Sequence, residues 1–245
     1  MVDPYETDEL LNQYLLFHYG ADDNVLPYSD GPRAALNFPV RVVEECIDFR
    51  SLPQSPVALE LGCAVGRSCF ELSRYCSRVV GVDRSRLFIR AAQQLQTNGR
   101  LAFRYQEEGN AYAPAVAMPP GGAIMERIMF EHDDVLELRD DIGKFDVVLL
   151  ANLIDRLRDP KCCLERLQTL CRPGARVIIT SPYTWLEDFT KHENWLGGFG
   201  AKGDRIHSIH TIGTILGDAF DLHGVKDMPF LIREHARKFQ WCIAQ

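Results

Sequence analysis

The sequence lacks any apolar run as long as the roughly 18 residues that a membrane-spanning helix requires. Its N-terminus, MVDPYETDELL, is acidic and has no apolar core, so it does not look like a secretory signal peptide. An excess of positive charge is also missing, because 27 Lys and Arg stand against 34 Asp and Glu. That charge balance argues against a protein that binds the phosphate backbone of nucleic acids. We therefore expect a cytoplasmic protein that binds neither membrane nor nucleic acid.

Metal-binding and disulfide patterns are missing as well. The chain has 8 cysteines, but no two of them have the C-x-x-C spacing of a zinc ribbon or a thioredoxin-like site. Most of them lie in apolar runs, which favours reduced, buried thiols. His207 and His210 could share a helix face, but an isolated H-x-x-H pair is a weak metal signal. The sequence therefore predicts no metal site.

The 245 residues show the alternation of strand and helix that is typical of an α/β fold. Short apolar runs such as FDVVLL and RVIIT are typical of strands buried in a parallel sheet. The pattern predicts a doubly wound, Rossmann-like, mostly parallel sheet. The predicted strands cover residues 57–61, 78–82, 127–130, 145–150 and 176–180, and the predicted helices cover 67–75, 85–96 and 160–170.

Three segments lie outside this alternation. The first 50 residues have a mainly helical pattern, which predicts a helical cap on a core of residues 55–245. Residues 107–126 form a long connection that is either a hairpin or a mobile loop. Two strand-like runs at 222–232 and 238–244 are close in sequence, which predicts an antiparallel pair at the sheet edge. We expect one domain over residues 1–245 rather than two.

The stretch LELGCAVGRS follows the first predicted strand and indicates the ligand. Ligands of open α/β sheets bind beyond the carboxyl ends of the strands. A dinucleotide requires G-x-G-x-x-G, which opens the backbone to a pyrophosphate. Here the pattern is E-x-G-x-A-x-G, in which the last glycine comes one position early and the acid repels a diphosphate. S-adenosylmethionine carries a sulfonium and an ammonium group instead, and both tolerate an acid. The turn predicts that cofactor, with contacts from Glu60, Gly62, Cys63, Ala64 and Gly66.

Two further strand ends carry acids. Asp83 ends the second strand, where a carboxylate can accept both hydroxyl hydrogens of a ribose, although a helix N-cap also favours Asp. Asp133 and Asp134 follow the third core strand, and Asp133 is the preferred acceptor for an adenine amino group. The set resembles the cofactor site of class I methyltransferases. Arg84 and Asn152, which lie beside these strand ends, complete the predicted cofactor contacts.

Several longer strings point to a narrower family. YLLFHYG, NFPVR, ELGCAVGRSCFELSR, ANLIDRL, SPYTWLEDFT, WLGG and REHARKFQW resemble the C-terminal methyltransferase module of ovothiol synthases over about residues 5–245. The resemblance implies transfer of a methyl group to an imidazole nitrogen of 5-thiohistidine (4-mercaptohistidine), giving ovothiol A. In that family the module follows iron-dependent sulfoxide synthase modules. We therefore expect a stand-alone methyltransferase coupled functionally to a separate sulfoxide synthase.

Thiohistidine demands a selective site, because its sulfur is a softer nucleophile than its ring nitrogens. The site must hold the sulfur away from the methyl group and free the target nitrogen of its proton. Candidates for a guanidinium fork on the α-carboxylate are Arg41, Arg156 and Arg233. Candidates to fix the ring tautomer and accept its proton are Tyr14, His18, Asp155, Asn152 and Tyr183, the last two favoured as catalytic because they follow strands four and five. Candidate aromatic walls are Phe17, Tyr19 and Trp185.

Other interpretations stay open at this stage. The substrate could be histidine itself, an ergothioneine-like thione or the selenium analogue of thiohistidine. A non-catalytic cofactor-binding partner of a sulfoxide synthase is an interpretation of another class. An NAD-dependent reductase is a third, and the glycine spacing argues against it.

Overall fold

The structure is a computed structural model that describes residues 4–200 and 203–245. In chain order its strands are β1 (Val57–Leu61), β2 (Arg78–Asp83), β3 (Leu101–Glu108), β4 (Ala111–Ala117), β5 (Ile128–His132), β6 (Phe145–Ala151), β7 (Cys171–Thr180), β8 (Gly198–Phe199), β9 (Arg205–Ile206), β10 (Met228–His235) and β11 (Lys238–Ala244). Its α-helices are α1 (Asp8–Tyr19), α2 (Asp22–Val25), α3 (Phe38–Cys46), α4 (Arg67–Leu72), α5 (Arg86–Asn98), α6 (Pro160–Leu170) and α7 (Ser208–Leu216).

Five parallel strands form the central sheet in the order β5-β2-β1-β6-β7. The chain moves outward from β1 to β2 and β5, and then returns to add β6 and β7 on the other side. The strand order therefore reverses between β1 and β6, which is where ligands of such sheets bind. The predicted doubly wound parallel sheet is confirmed.

Both faces of this sheet are covered, which explains the continuous apolar runs in the sequence. Side chains alternate between the faces, so that Ala58 joins one core cluster while Leu59 and Leu61 join the other. The first cluster includes residues of α1, α3, α4 and α5, and the second includes residues of α6 and α7.

Local signals set the helix boundaries. Thr7 accepts a hydrogen bond from the backbone N–H of Leu10, and Ser85 accepts one from Phe88, so that each caps its helix. Pro160 is the first residue of α6, directly after the capping residue Asp159. Residues 4–51 hold three α-helices and three short 3₁₀ helices, and this helical character matches the sequence pattern.

Antiparallel hairpins are added to this core. Strands β3 and β4 pair, so that most of the long connection after α5 is a hairpin rather than a loop. Strands β10 and β11 form the predicted C-terminal antiparallel pair. One detail differs from the prediction, because this pair is a separate two-stranded sheet. Two backbone hydrogen bonds between Ser181 and Gln245 join it to the end of β7, while β10 packs against α1 and β3. Within the two described ranges, no helix has the length and apolar character to cross a bilayer.

Candidate cofactor and substrate site

A cavity of about 220 Å³ lies at the carboxyl ends of the central strands, where the strand order reverses. Many of the predicted site residues line it together, although they come from distant parts of the chain. They are Tyr14, Phe17, His18, Glu60, Gly62, Ala64, Asp83, Arg84, Asp134, Asn152, Asp155 and Arg156. The cavity wall does not include Cys63, Gly66, Asp133, Tyr19, Arg41, Tyr183, Trp185 or Arg233.

The turn after β1 satisfies its own backbone amides. The N–H groups of Gly62 and Cys63 both donate to a carbonyl of β2, at 2.8 and 3.0 Å. The N–H of Gly66 donates to the carbonyl of Cys63 at 2.9 Å, and the N–H of Ala64 donates to Oδ2 of Asp83 at 2.8 Å. A pyrophosphate would need such amides to be free. The turn is therefore unsuited to a dinucleotide, as the glycine spacing predicted.

Packing as well as backbone conformation requires the two glycines of the turn. Gly62 has φ +74°, and a Cβ there would lie 2.8 Å from a methyl carbon of Leu153. Gly66 has φ +84°, and a Cβ there would lie 2.6 Å from the ring of Phe130. Gly66 thus shapes the turn without reaching the cavity. Ala64 adopts φ +47° in spite of its side chain, at a cost of roughly 1–2 kcal/mol.

Glu60 is a buried acid that accepts a weak hydrogen bond from a thiol. It is 2% exposed, and the thiol of Cys69 donates to its Oε2 at 2.9 Å. Burial raises the pKa of Glu60 to about 8. Glu60 is therefore not the fixed negative charge that the sequence predicts, since it is mostly protonated at neutral pH until a cation is bound. The neighbouring Cys63 is likewise buried, and burial raises its pKa to about 11, so that it is an unreactive thiol behind the turn.

Asp83 supports the turn and still faces the cavity. Its Oδ2 accepts from Ala64 and its Oδ1 accepts from the N–H of Ser85, both at 2.8 Å. The N-cap of α5 is Ser85, so the alternative interpretation of Asp83 as that cap is wrong. A carboxylate that lines the cavity at this strand end is placed to meet ribose hydroxyls.

The next acid along this edge is Asp134, not the preferred Asp133. Asp134 lines the cavity, where its Oδ1 accepts from Leu136 and its Oδ2 pairs with Arg158 at 3.1 Å. Asp133 is off the cavity wall because its side chain turns back to accept from the N–H of Asp134 at 2.9 Å. The backbone geometry after β5 decides which of the two aspartates lines the cavity, and no sequence pattern encodes that geometry.

Aromatic side chains from the N-terminal residues close the cavity. The ring of Tyr5 meets those of Tyr14 and Phe88 edge-on at centroid distances of 6.1 and 5.9 Å. The hydroxyl of Ser85 donates to the carbonyl of Tyr5 at 2.8 Å and so ties this segment to the cofactor edge. Sequence reasoning missed Tyr5, as well as Phe38, Phe189 and Phe230 on the same wall, because isolated aromatic residues carry no local motif.

His18 is a neutral imidazole in this aromatic part. Burial, assisted by the nearby Arg67, lowers the pKa of His18 to about 3. The ring stacks on Tyr14 at 5.8 Å and meets Phe17 edge-on at 5.2 Å. Its Nδ1 is buried and has no hydrogen-bond partner within residues 4–200 and 203–245. A buried polar atom of this kind normally has a partner, so Nδ1 is suited to contact a ligand.

Asp155 and Arg156 form an ion pair just after β6. Oδ2 of Asp155 accepts from the backbone N–H of Thr184 at 3.1 Å, from its hydroxyl at 2.8 Å and from Nη1 of Arg156 at 2.9 Å. Oδ1 of Asp155 is buried without a partner in the described part of the chain. The guanidinium of Arg156 also faces the ring of Phe189 at 5.1 Å.

The other two candidate arginines serve the architecture. Arg41 pairs with Glu45 at 2.9 Å and donates to the carbonyl of Pro229, which joins α3 to β10. Arg233 is 4% exposed, lies 2.9 Å from a carboxylate oxygen of Glu107 and stands over the ring of Tyr105. Their assignment to the substrate carboxylate is corrected, since each is bound outside the cavity.

Three aromatic candidates are also held elsewhere. The hydroxyl of Tyr19 donates to the carbonyl of Val65 at 2.7 Å, and the indole N–H of Trp185 donates to Ser208 at 3.0 Å. Tyr183, with φ +53°, packs against the core cluster that includes residues of α6 and α7 and is not part of the cavity wall. Its proposed catalytic role is therefore not supported by its position.

Asn152 keeps its predicted place. It lines the cavity with φ +52°, and its backbone N–H donates to both the carbonyl and the hydroxyl of Thr180. Its Oδ1 accepts from that hydroxyl at 3.1 Å. Thr180 thus fixes the conformation of Asn152 at the cavity wall.

Comparison with known proteins identifies a related domain. Residues 59–177 match the family model described as methyltransferase domain. Norajmaline N-methyltransferase from Rauvolfia serpentina is 23% identical over 147 residues, which are 58% of this chain and 42% of the relative. The chain thus spans less than half the length of that curated relative.

Two solved structures show the fold. The [4+2]-cyclase SpnF superposes with a TM-score of 0.58 at 15% identity, covering 91% of this chain and 73% of its own. The YcgJ protein from Bacillus subtilis superposes with a TM-score of 0.51 at 13% identity, covering 79% and 73%. Because a cyclase shares this fold, the reaction has to be argued from the site. The parallel sheet, the acids at its strand ends and the match over residues 59–177 agree that the chain has the class I methyltransferase fold, and the cavity at these strand ends is where S-adenosylmethionine would bind.

Proposed function

We propose that the protein is an N-methyltransferase that uses S-adenosylmethionine to methylate the imidazole of 5-thiohistidine, at the nitrogen nearest the side-chain attachment. One observation carries this proposal. The same cavity joins acids that suit a cationic methyl donor to the guanidinium of Arg156, which suits the carboxylate of an amino acid.

The cofactor half of the cavity would hold the donor through Glu60, Asp83 and Asp134. The acid of Glu60 suits a positively charged ligand, and the carboxylate of Asp83, which lines the cavity, is proposed to accept from ribose hydroxyls. Asp134, which lines the cavity, is proposed to accept from the adenine amino group. When bound, S-adenosylmethionine supplies a methyl group that is activated by the positive charge on its sulfur. The chain's own task is to align the nucleophile with that methyl group and to exclude water.

The substrate half would hold the amino acid between Arg156 and the aromatic wall. A guanidinium binds a carboxylate as a fork, and Arg156 is the candidate arginine that lines the cavity. Phe17 and Tyr14 exclude water from the ring, and Nδ1 of neutral His18 offers one hydrogen bond to it. Asn152, which lines the cavity, is proposed to orient the target nitrogen. With the ring held in this way, the sulfur is kept from the line of transfer.

Two further observations support nitrogen as the acceptor. The long sequence strings resemble the methyltransferase module of ovothiol synthases, and the curated relative is named an N-methyltransferase. A substrate of this kind also requires a preceding enzyme that forms its carbon–sulfur bond.

Mass spectrometry tests the proposal. The protein is incubated with S-adenosylmethionine and either 5-thiohistidine, its selenium analogue or histidine, and tandem fragmentation locates the added methyl group. We expect a methyl group on the ring nitrogen of thiohistidine, with Arg156→Ala far less active than Arg41→Ala, whose side chain lies off the cavity.

Methyl transfer to sulfur would overturn the regiochemistry, and a strong preference for the selenium analogue or for histidine would replace the substrate. Binding of S-adenosylmethionine without turnover of any of the three would favour a non-catalytic partner of a sulfoxide synthase.

A further inference from the structure

The ion pair between Asp155 and Arg156 has an unused acceptor. Oδ1 of Asp155 is buried, and no residue in the described ranges donates to it. A buried acceptor without a partner is costly, and it persists where a ligand supplies the missing donor. Because Asp155 lines the cavity, that donor can come from the substrate.

The carboxylate is also held in one orientation. Three donors converge on Oδ2, two from Thr184 and one from Arg156, at 2.8 to 3.1 Å. Rotation of the carboxylate would break all three, so Oδ1 is the oxygen that stays available. Such preorganisation reduces the entropy that a ligand must lose on binding.

The guanidinium of Arg156 is anchored in a similar way. Nη1 donates to Asp155 and to the carbonyl of Thr184, and Nη2 donates to the hydroxyl of Thr184 at 3.0 Å. None of these hydrogen bonds uses Nε. Thr184 therefore positions both charged side chains, although it is far from either in sequence.

Spacing identifies the ligand group that fits. The opposite charges of the pair are adjacent, since Nη1 and Oδ2 lie 2.9 Å apart. The α-ammonium and α-carboxylate of an amino acid are adjacent in the same way, on a single carbon. An imidazole N–H is several bonds further from the carboxylate and does not match this spacing.

From this geometry we infer that Asp155 and Arg156 form a clamp for the α-amino-acid end of the substrate, in which Oδ1 of Asp155 accepts from the α-ammonium. Arg156 takes the α-carboxylate, and Thr184 is the positioning residue. This inference deepens the proposed function and rests on it for the identity of the substrate, but the clamp itself is tested by binding.

Titration calorimetry in the presence of S-adenosylhomocysteine measures the clamp directly. The probes are L-histidine, histamine, which lacks the carboxylate, and 3-(imidazol-4-yl)propionate, which lacks the ammonium group. We expect L-histidine to bind tightest to the unmodified protein. Asp155→Asn should weaken L-histidine by roughly 10- to 100-fold and leave imidazolylpropionate unchanged. Thr184→Val should weaken L-histidine as well, and Arg41→Ala should change nothing.

Two results would overturn the clamp. One is that L-histidine binds no tighter than imidazolylpropionate. The other is that Asp155→Asn weakens both ligands equally, which would place Asp155 at the ring instead. A melting curve for each variant confirms folding, and Thr184→Val provides a second test if Asp155→Asn fails to fold. Selective binding of L-histidine without methylation of any thiol-imidazole would remove the proposed function and leave the clamp standing.

Discussion

Affinity for the cofactor is expected to rise with pH because of Glu60. This acid is 2% exposed, and its pKa is raised to about 8, chiefly by burial. It is therefore about 10% ionised at pH 7 and about 1% ionised at pH 6. A cationic donor binds best to the ionised form, so that deprotonating Glu60 at pH 7 costs about 1.4 kcal/mol of binding free energy.

The expected slope follows from these fractions. The apparent dissociation constant should fall roughly tenfold per pH unit between pH 6 and 8 and level off above pH 8, and binding at pH 7 should release about 0.9 proton. Stability changes in the opposite direction. Because the folded-state pKa of Glu60 is raised from 4.5 to about 8, its contribution to stability is complete below pH 4.5. The contribution of Glu60 to the free energy of unfolding then decreases by about 1.4 kcal/mol per pH unit as the pH rises from 4.5 to 8.

Calorimetry at pH 6, 7 and 8, in buffers of different ionisation enthalpy, measures both the affinity and the proton release. Glu60→Gln cannot titrate and should lose the slope. The amino group of the cofactor titrates near pH 7.7–8.0 in both proteins, so the difference between them isolates Glu60. Glu71→Gln is the control, since Glu71 is equally buried but lies off the cavity. Equal slopes for the unmodified protein and Glu60→Gln would refute the reasoning.

Three further predictions concern single residues of the site. Gly62→Ala should lower the free energy of unfolding by about 2–4 kcal/mol in chemical denaturation, because positive φ and a close contact both penalise a Cβ. Asp134→Asn should weaken cofactor binding several-fold in calorimetry, whereas Asp133→Asn should not. Weaker binding in Asp133→Asn alone would show that Asp133 is the adenine acceptor, as the sequence predicted. Asn152→Ala should reduce turnover more than tenfold with cofactor affinity nearly unchanged, whereas Tyr183→Phe should turn over normally, and loss of turnover in Tyr183→Phe would return its hydroxyl to the site.

Sequence patterns predicted most of the fold because local physics encodes it. The short, mostly apolar runs FDVVLL in β6 and RVIIT in β7 indicated a sheet covered on both faces. Pro160 marked the start of α6, and the glycine spacing after β1 excluded a dinucleotide turn. The connection at residues 107–126 stayed ambiguous, because its strand β4 (AYAPAVA) has no polar residues that alternate with the apolar ones.

The sequence by itself determined the sheet, the turn after β1 and the class of cofactor, since each depends on residues that are neighbours in the chain. Only the tertiary structure decided that Arg156 lies at the cavity while Arg233 is bound to Glu107. It also decided that Glu60 is mostly protonated and that one oxygen of Asp155 is left without a donor. Desolvation and hydrogen bonding by segments that are distant in sequence cause these properties. The spacing of residues within a motif does not predict which distant segment will pack against it.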